Sequence, residues 1–312
     1  MSTNNQEKFK TMIGGQALIE GIMMRGPEKQ SIVVRSPEGL VVKTEELKLT
    51  KKSPLARLPL IRGVMTFGAS MVQGVKALMY SAEFFPEEEE EPSKFEKWLE
   101  TKIGSEKMEK AVIYLAAVLG IAMSVGLFIL LPTFIAGLIP GLDGHYFARN
   151  LIEGLVKIIV FMGYMILVSK MKDMKRVFSY HGAEHKTIRC YEAQLPLTVE
   201  NVRQQTRKHP RCGTSFLLVV VCISILMGAV IRVDHMLARM GLHLLLLLPI
   251  VALAYELNRW VGRHDNWLSR ILTAPGQWMQ NFTTYEPDDS MIEVAIKALE
   301  EVLPEQEGTD EW

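Results

Sequence analysis

The stretch Phe178-Ser179-Tyr180-His181-Gly182-Ala183-Glu184-His185-Lys186 places two imidazoles and a carboxylate within five positions, just after an apolar block long enough to enter a bilayer. On an α-helix, positions four apart share a face, so the rings of His181 and His185 converge while Glu184 stands beside the second ring. This is the H-x-x-E-H order, the inverse of H-E-x-x-H, in which the histidines bind zinc and the glutamate acts as a base toward water. Gly182 costs such a helix about 1 kcal/mol relative to Ala, a weakness that suits a place where another group approaches the backbone. The competing reading of the same residues is a polar network at a membrane interface, bonded to headgroups, to a neighbouring loop or to itself.

Outward from this stretch lie four apolar blocks, 111–139, 151–168, 214–231 and 242–257, each near the length of about 20 residues that crosses hydrocarbon. With 48% hydrophobic residues overall, they predict an α-helical polytopic membrane protein of about four transmembrane helices, carrying a small α+β cytosolic unit at its amino-terminal end. Pro132 is placed to kink the first block. Glu153 and Lys157 in the second stand one turn apart in the favourable order and are expected to pair near one interface. The connections 143–150 and 232–241 are short, whereas 170–211 holds ten basic residues against four acidic ones. The positive-inside bias therefore assigns that basic segment to the cytosol, and both termini with it. The first ten residues lack an apolar core, so a cleaved signal is not expected.

Charge and cysteine usage narrow the class further. Lysine plus arginine and aspartate plus glutamate both number 35, which argues against a nucleic-acid surface; a polybasic segment beside spans sets topology and meets anionic lipid. The three cysteines, Cys190, Cys212 and Cys222, are too few and too scattered for a disulfide framework, and a reducing compartment is expected for the first two.

The chain divides into 1–58, a glycine-rich unit with a β-hairpin; 59–110, an amphipathic helix, acidic linker and pre-membrane helix; 111–169, the first two spans; 170–213, the basic segment; 214–257, the last two spans; and 258–312, a cytosolic segment with an amphipathic helix and acidic tail. Strands are expected at 31–35 and 40–47, joined by Ser36-Pro37-Glu38-Gly39, and need a partner because two strands alone are marginal in water. Glu20 and Arg25 flank an otherwise apolar strand and either face a polar site or pair with each other. Gly14-Gly15 lacks the lysine and hydroxyl of a phosphate loop. The apolar stripe of 59–85 is read as docked on the β-unit in preference to lying on the membrane surface. Beyond it come the acidic run 87–91 between Pro86 and Pro92, and a capping box from Ser93 to Glu96. Near the end, 273–280 reads as a break and re-entry. Asp288 and Asp289 then suit the positive end of a helix whose apolar face, Ile292, Ala295, Ile296, Leu299 and Val302, packs back on the amino-terminal unit.

More ligand-type residues lie on the same predicted side as His181 and His185. His209-Pro210-Arg211-Cys212-Gly213-Thr214-Ser215 leads into the third block, and Glu256 closes the fourth. Glu256 can complete a two-histidine, one-carboxylate site for a divalent metal, zinc by preference, with Cys212 or His209 as competing third ligands and Arg259 as an alternative partner for Glu256. His243 is read as structural.

Four motifs in order, Gly-Gly-Gln-Ala-Leu-Ile-Glu-Gly-Ile-Met-Met-Arg-Gly-Pro at 14–27, Tyr-His-Gly-Ala-Glu-His-Lys at 180–186, His-Pro-Arg-Cys-Gly-Thr-Ser at 209–215, and Pro-Gly-Gln-Trp at 275–278 with Glu-Pro-Asp-Asp at 286–289, span nearly the whole chain. In this combination the sequence resembles the YqhQ family (DUF1385) of bacterial membrane proteins. The resemblance implies an inner-membrane protein with its motif-bearing segments in the cytosol, in a family labelled a metal-dependent enzyme on motif grounds. Two expectations of different class follow: a metal-dependent hydrolase with Glu184 as general base, or a non-catalytic factor that acts by contact with another membrane protein or with the protein-export channel.

Overall fold

The glycine-punctuated start of the chain folds into strands rather than a loop. In the computed structural model, which describes residues 9–47, 58–85, 115–116, 118–142, 144–264, 266–306 and 308–311, β1 (Gly14–Leu18), β2 (Gly21–Arg25), β3 (Lys29–Ser36) and β4 (Gly39–Glu46) form an antiparallel meander in sequence order. The predicted hairpin is β3–β4, and the partner it needs is the hairpin just before it. Glu20 turns that first hairpin with φ of 48°. Its carboxylate pairs with Arg176 and accepts from the Tyr180 hydroxyl, while Arg25 donates to Gln73, so Glu20 and Arg25 do not pair with each other. The acidic run 87–91 and the capping box at Ser93 lie outside the described residues.

Contacts divide the chain into two compact units, one drawn from 1–84, 165–223 and 248–312, the other from 85–164 and 224–247. In the first, the sheet is covered by α9 (Asp289–Glu300), as the apolar spacing predicted. Asp288 caps this helix, accepting from the Met291 N–H at 3.0 Å. Ala295, Leu299 and Val302 bury against Ile22, Met24 and Val33, and Ser31 donates to the Ala298 carbonyl at 2.7 Å. Helix α4 (Lys172–Glu192) lies in the same core through Tyr180, Ala183 and Ile188, and the short α5 (Val199–Arg203) follows it.

Helix α1 (Ile61–Ala82) docks on the β-unit, but not through its apolar stripe. It meets β1 through its small residues: a Cβ at Gly74 would stand 2.4 Å from the Gln16 amide oxygen, and Ser81 Oγ accepts from the Ile19 N–H at 3.3 Å. The apolar stripe, Ile61, Met65, Val72, Val75 and Met79, faces outward. Small side chains permit the closer approach to the sheet, and the stripe is left exposed.

The second unit contains α2 (Val118–Gly137), most of α3 (Tyr146–Ser169) and the beginning of α7 (Met236–Arg263). These are the three helices among the described residues that are long and apolar enough to cross a membrane. Block 214–231 forms α6 (Gly213–Gly228), only 16 residues and therefore about 24 Å, so the expectation of four spans stands at three plus a shorter apolar helix. Glu153 does not depend on Lys157. Its oxygens are taken by Thr133 and Arg239, each at 2.9 Å, and by His243 at 2.5 Å, and Arg239 also donates to Asn150. All five side chains are buried, which gives His243 the structural role read from its position.

A candidate metal centre

Helix α4 is polar yet almost wholly buried from Tyr180 to Ile188, so each of its polar groups needs a partner. The segment after α8 (Trp267–Thr283) supplies several. Tyr285 donates its N–H to the Phe178 carbonyl at 2.9 Å, and its own carbonyl lies against Gly182, where a Cβ would stand 2.0 Å from the oxygen. Glycine is the residue that lets this backbone seat, and that is the close approach its presence suggested.

The structure brings His181, His185 and Cys212 together. One donor atom from each lies within 4.8 Å of the others, and all three residues are buried. His181 Nδ1 is 2.8 Å from the Thr283 carbonyl and its Nε2 is 3.1 Å from Cys212 Sγ. His185 Nδ1 is 2.6 Å from the Arg207 carbonyl, while its buried Nε2 has no hydrogen-bond partner among the described residues. A carbonyl only accepts, so each Nδ1 carries a proton and it is the Nε2 of each ring that faces the cluster.

Cys212 stands immediately before α6, where the Thr214 N–H reaches its sulfur at 3.3 Å and the Thr214 hydroxyl at 3.1 Å. Burial opposes ionisation of the thiol, but His181 and His185 beside it outweigh burial and hold its pKa well below the ordinary 9.0. Burial likewise opposes the His181 cation, and the sulfur beside it wins, raising that imidazole from 6.5 to about 9. Without a metal the two form an imidazolium–thiolate pair. The raised His181 contributes stability fully below about pH 6.5 and loses it through about 9; the depressed Cys212 contributes fully above its ordinary value and loses it as pH falls. The opposing slopes cancel between these limits. Chelator-treated protein is therefore expected to hold a plateau in melting temperature from about pH 6.5 to 9 and to weaken on acidification below it, and Cys212→Ala should flatten that acid limb in a thermal melt series.

Glu184 is not one of the three converging donors. Its Oε1 accepts from the Gly15 N–H of β1 at 2.9 Å, and its Oε2 lies 3.8 Å from His181 Nε2. One oxygen is anchored and the other faces the cluster. His209 stands one layer back, with its ring 5.6 Å from that of His185 and its Nε2 3.4 Å from Glu192. Burial, with His185 and Arg189 nearby, drives its pKa down to about 3, so it stays neutral and donates to Glu192 rather than joining the cluster. The Glu256 expectation is not met: this carboxylate accepts both prongs of the Arg62 guanidinium, Nε at 2.6 Å. A planar fork matched to a carboxylate holds it more firmly than a distant site could, and Arg259 is not its hydrogen-bonded partner either.

Several residues that set the site gave little sign in sequence. Gln280 clamps the backbone of His209, accepting its N–H at 2.8 Å and donating to its carbonyl at 2.7 Å, and also reaches Ser215 Oγ at 2.9 Å. It does so from inside α8, which runs unbroken through Pro275 where a break and re-entry was expected. The visible signal was Asn266 followed three positions later by Ser269, which form a reciprocal cap at the start of α8. A Cβ at Gly276 would meet Ser215 Cβ at 2.5 Å, so this glycine sets how closely α8 approaches the Cys212 segment.

Comparison with known proteins agrees with the family resemblance. The chain is 32% identical over 306 residues to the uncharacterized protein YqhQ of Bacillus subtilis (strain 168), covering 96% of this chain and 94% of that one. No solved structure matches it. A family model described as a protein of unknown function, DUF1385, matches residues 58–305, a stretch that contains α4, Cys212 and α8. The chain therefore belongs to the DUF1385 family.

Proposed function

We propose that this protein is a membrane-embedded, metal-dependent hydrolase whose ion is held by His181 Nε2, His185 Nε2 and Cys212 Sγ. The observation that carries this reading is the buried, partnerless Nε2 of His185 pointing into a cluster with a second imidazole nitrogen and a thiol biased toward thiolate. Two nitrogens and one sulfur suit zinc, which leaves its fourth position open in catalytic sites and there acidifies water. The chain's own groups are arranged for the rest. The Thr283 and Arg207 carbonyls fix both imidazole tautomers. Glu184, tethered at one oxygen by Gly15, has its other oxygen placed to accept a proton as general base.

A second reading is a non-catalytic factor working by contact with a membrane partner, in which the cluster knits α4 to the Cys212 segment. What favours it is depth: His181, Glu184, His185 and Cys212 are each no more than 8% exposed, as in closed structural metal sites. Metal analysis of detergent-purified protein tests the shared premise. Wild type is expected to retain about one ion per chain; His185→Ala should lower affinity by more than the roughly 10- to 100-fold seen on removing an outer-shell partner, and Glu184→Gln should keep the ion. Metal-free wild type, prepared without chelator, would sink the metal site. Loss of cellular function in Glu184→Gln with metal retained separates hydrolase from knit.

A further inference from the structure

A cleft of about 680 Å³ in the first unit, lined among others by Lys10, Arg189, Glu192, Arg211, His264 and Arg270, is not used by the proposed chemistry. Among the described residues, Lys10, Arg189 and Arg211 face one carboxylate, Glu192, and that carboxylate is already engaged. Glu192 accepts from Arg211, from the Thr11 N–H at 3.2 Å and from His209. Burial lowers the pKa of Arg189, and burial with Arg189 close by lowers that of Arg211 to about 10. Two guanidiniums thus crowd one wall, with no second carboxylate among the described residues that line it. A bound anion relieves that repulsion, and a phosphate matches the planar forks of both.

The surroundings say where the phosphate comes from. Helix α8 is built inside out: Ser269, Thr273, Gln280 and Thr283 are buried, while Trp267, Ile271 and Trp278, on one face of the helix, are 73%, 59% and 53% exposed. A helix that turns hydroxyls inward and tryptophans outward suits the apolar–polar boundary of a bilayer. Ser269, Arg270 and Thr273 of this same helix form part of the cleft wall. The candidate span α7 ends at Arg263, and the ring of His264 in the cleft wall stacks on Trp260 at 4.6 Å. The cationic cleft and the lipid-type face are therefore adjacent surfaces of one element, next to the end of a span.

We propose that this cleft binds the phosphate headgroup of an anionic phospholipid. A zwitterionic headgroup brings its own ammonium into a cleft that already carries excess positive charge, so the preference is for lipids with a net negative head. This site is independent of the metal cluster, and its test does not use activity.

The experiment places the full-length protein in nanodiscs of phosphatidylcholine with or without phosphatidylglycerol, and reads retained lipid by mass spectrometry and stability by thermal melting, with inorganic phosphate added in a separate arm. Wild type should retain phosphatidylglycerol over phosphatidylcholine and melt higher in its presence. Arg270→Gln, an exposed position, should weaken that preference about fivefold, and Arg189→Gln further, at one cationic contact each, while metal content stays unchanged. Equal retention of the two lipids, or an unaltered preference in a folded Arg270→Gln, overturns the proposal. Stabilisation by inorganic phosphate without lipid preference also overturns it, assigning the cleft to a soluble phosphate.

Discussion

Glu153→Gln is expected to destabilise the protein by about 3–5 kcal/mol, read as a lowered melting temperature in detergent and faster proteolysis in membranes. The reason is what the carboxylate leaves behind. Arg239 is fully buried and donates its Nε to Glu153, and Lys157 lies at 5% exposure beside the same small cavity. Removing the carboxylate's charge strands these cations in an apolar interior, where desolvation dominates. The double replacement Glu153→Leu with Arg239→Met removes both partners of the arginine–carboxylate pair, and should recover a large part of the loss. A Glu153→Gln protein as stable as wild type would show that the network is hydrated and carries little energy.

Gly182→Ala is expected to cost about 1–3 kcal/mol, the range for forcing atoms into a filled core. The same change in a solvated helix would gain about 1 kcal/mol, so even the sign is informative. The clash is with a backbone carbonyl, that of Tyr285, at 2.0 Å from the added methyl, and a backbone cannot swing aside as a side chain can. Displacing Tyr285 also pulls on Thr283, whose carbonyl orients His181. Metal affinity should therefore fall along with stability although no ligand has been touched. A neutral or stabilising Gly182→Ala would rule out the seating of residues 283–285 on α4.

What the sequence made legible follows from periodicity and local chemistry. Spacing four apart on one helix face was enough to pair His181 with His185, and the Asp288 cap with the apolar run behind it was enough to place α9. Cys212 entered as one of three competing ligands, and proximity singles it out. Glu256 misled because a carboxylate at a helix end is equally suited to a metal or to an arginine, and Arg62, remote in sequence, could not be weighed against Arg259. The Thr283 and Arg207 carbonyls were out of reach because every residue carries a carbonyl, and only tertiary packing selects which one meets an imidazole. The outward stripe of α1 had clear helical spacing, but spacing alone does not say which side faces the core.

The sheet is made from the first residues of the chain and α9 from nearly the last, with α4 packed in the same core. During synthesis the early strands must therefore wait, greasy side uncovered, until the ribosome has delivered α9. Glu184 gains its tether from Gly15 across a shorter but still long interval of 169 residues. Chains released short of residue 289 would leave the strands without their lid and offer them to chaperones or proteases, so that only chains carrying α9 acquire the assembled centre.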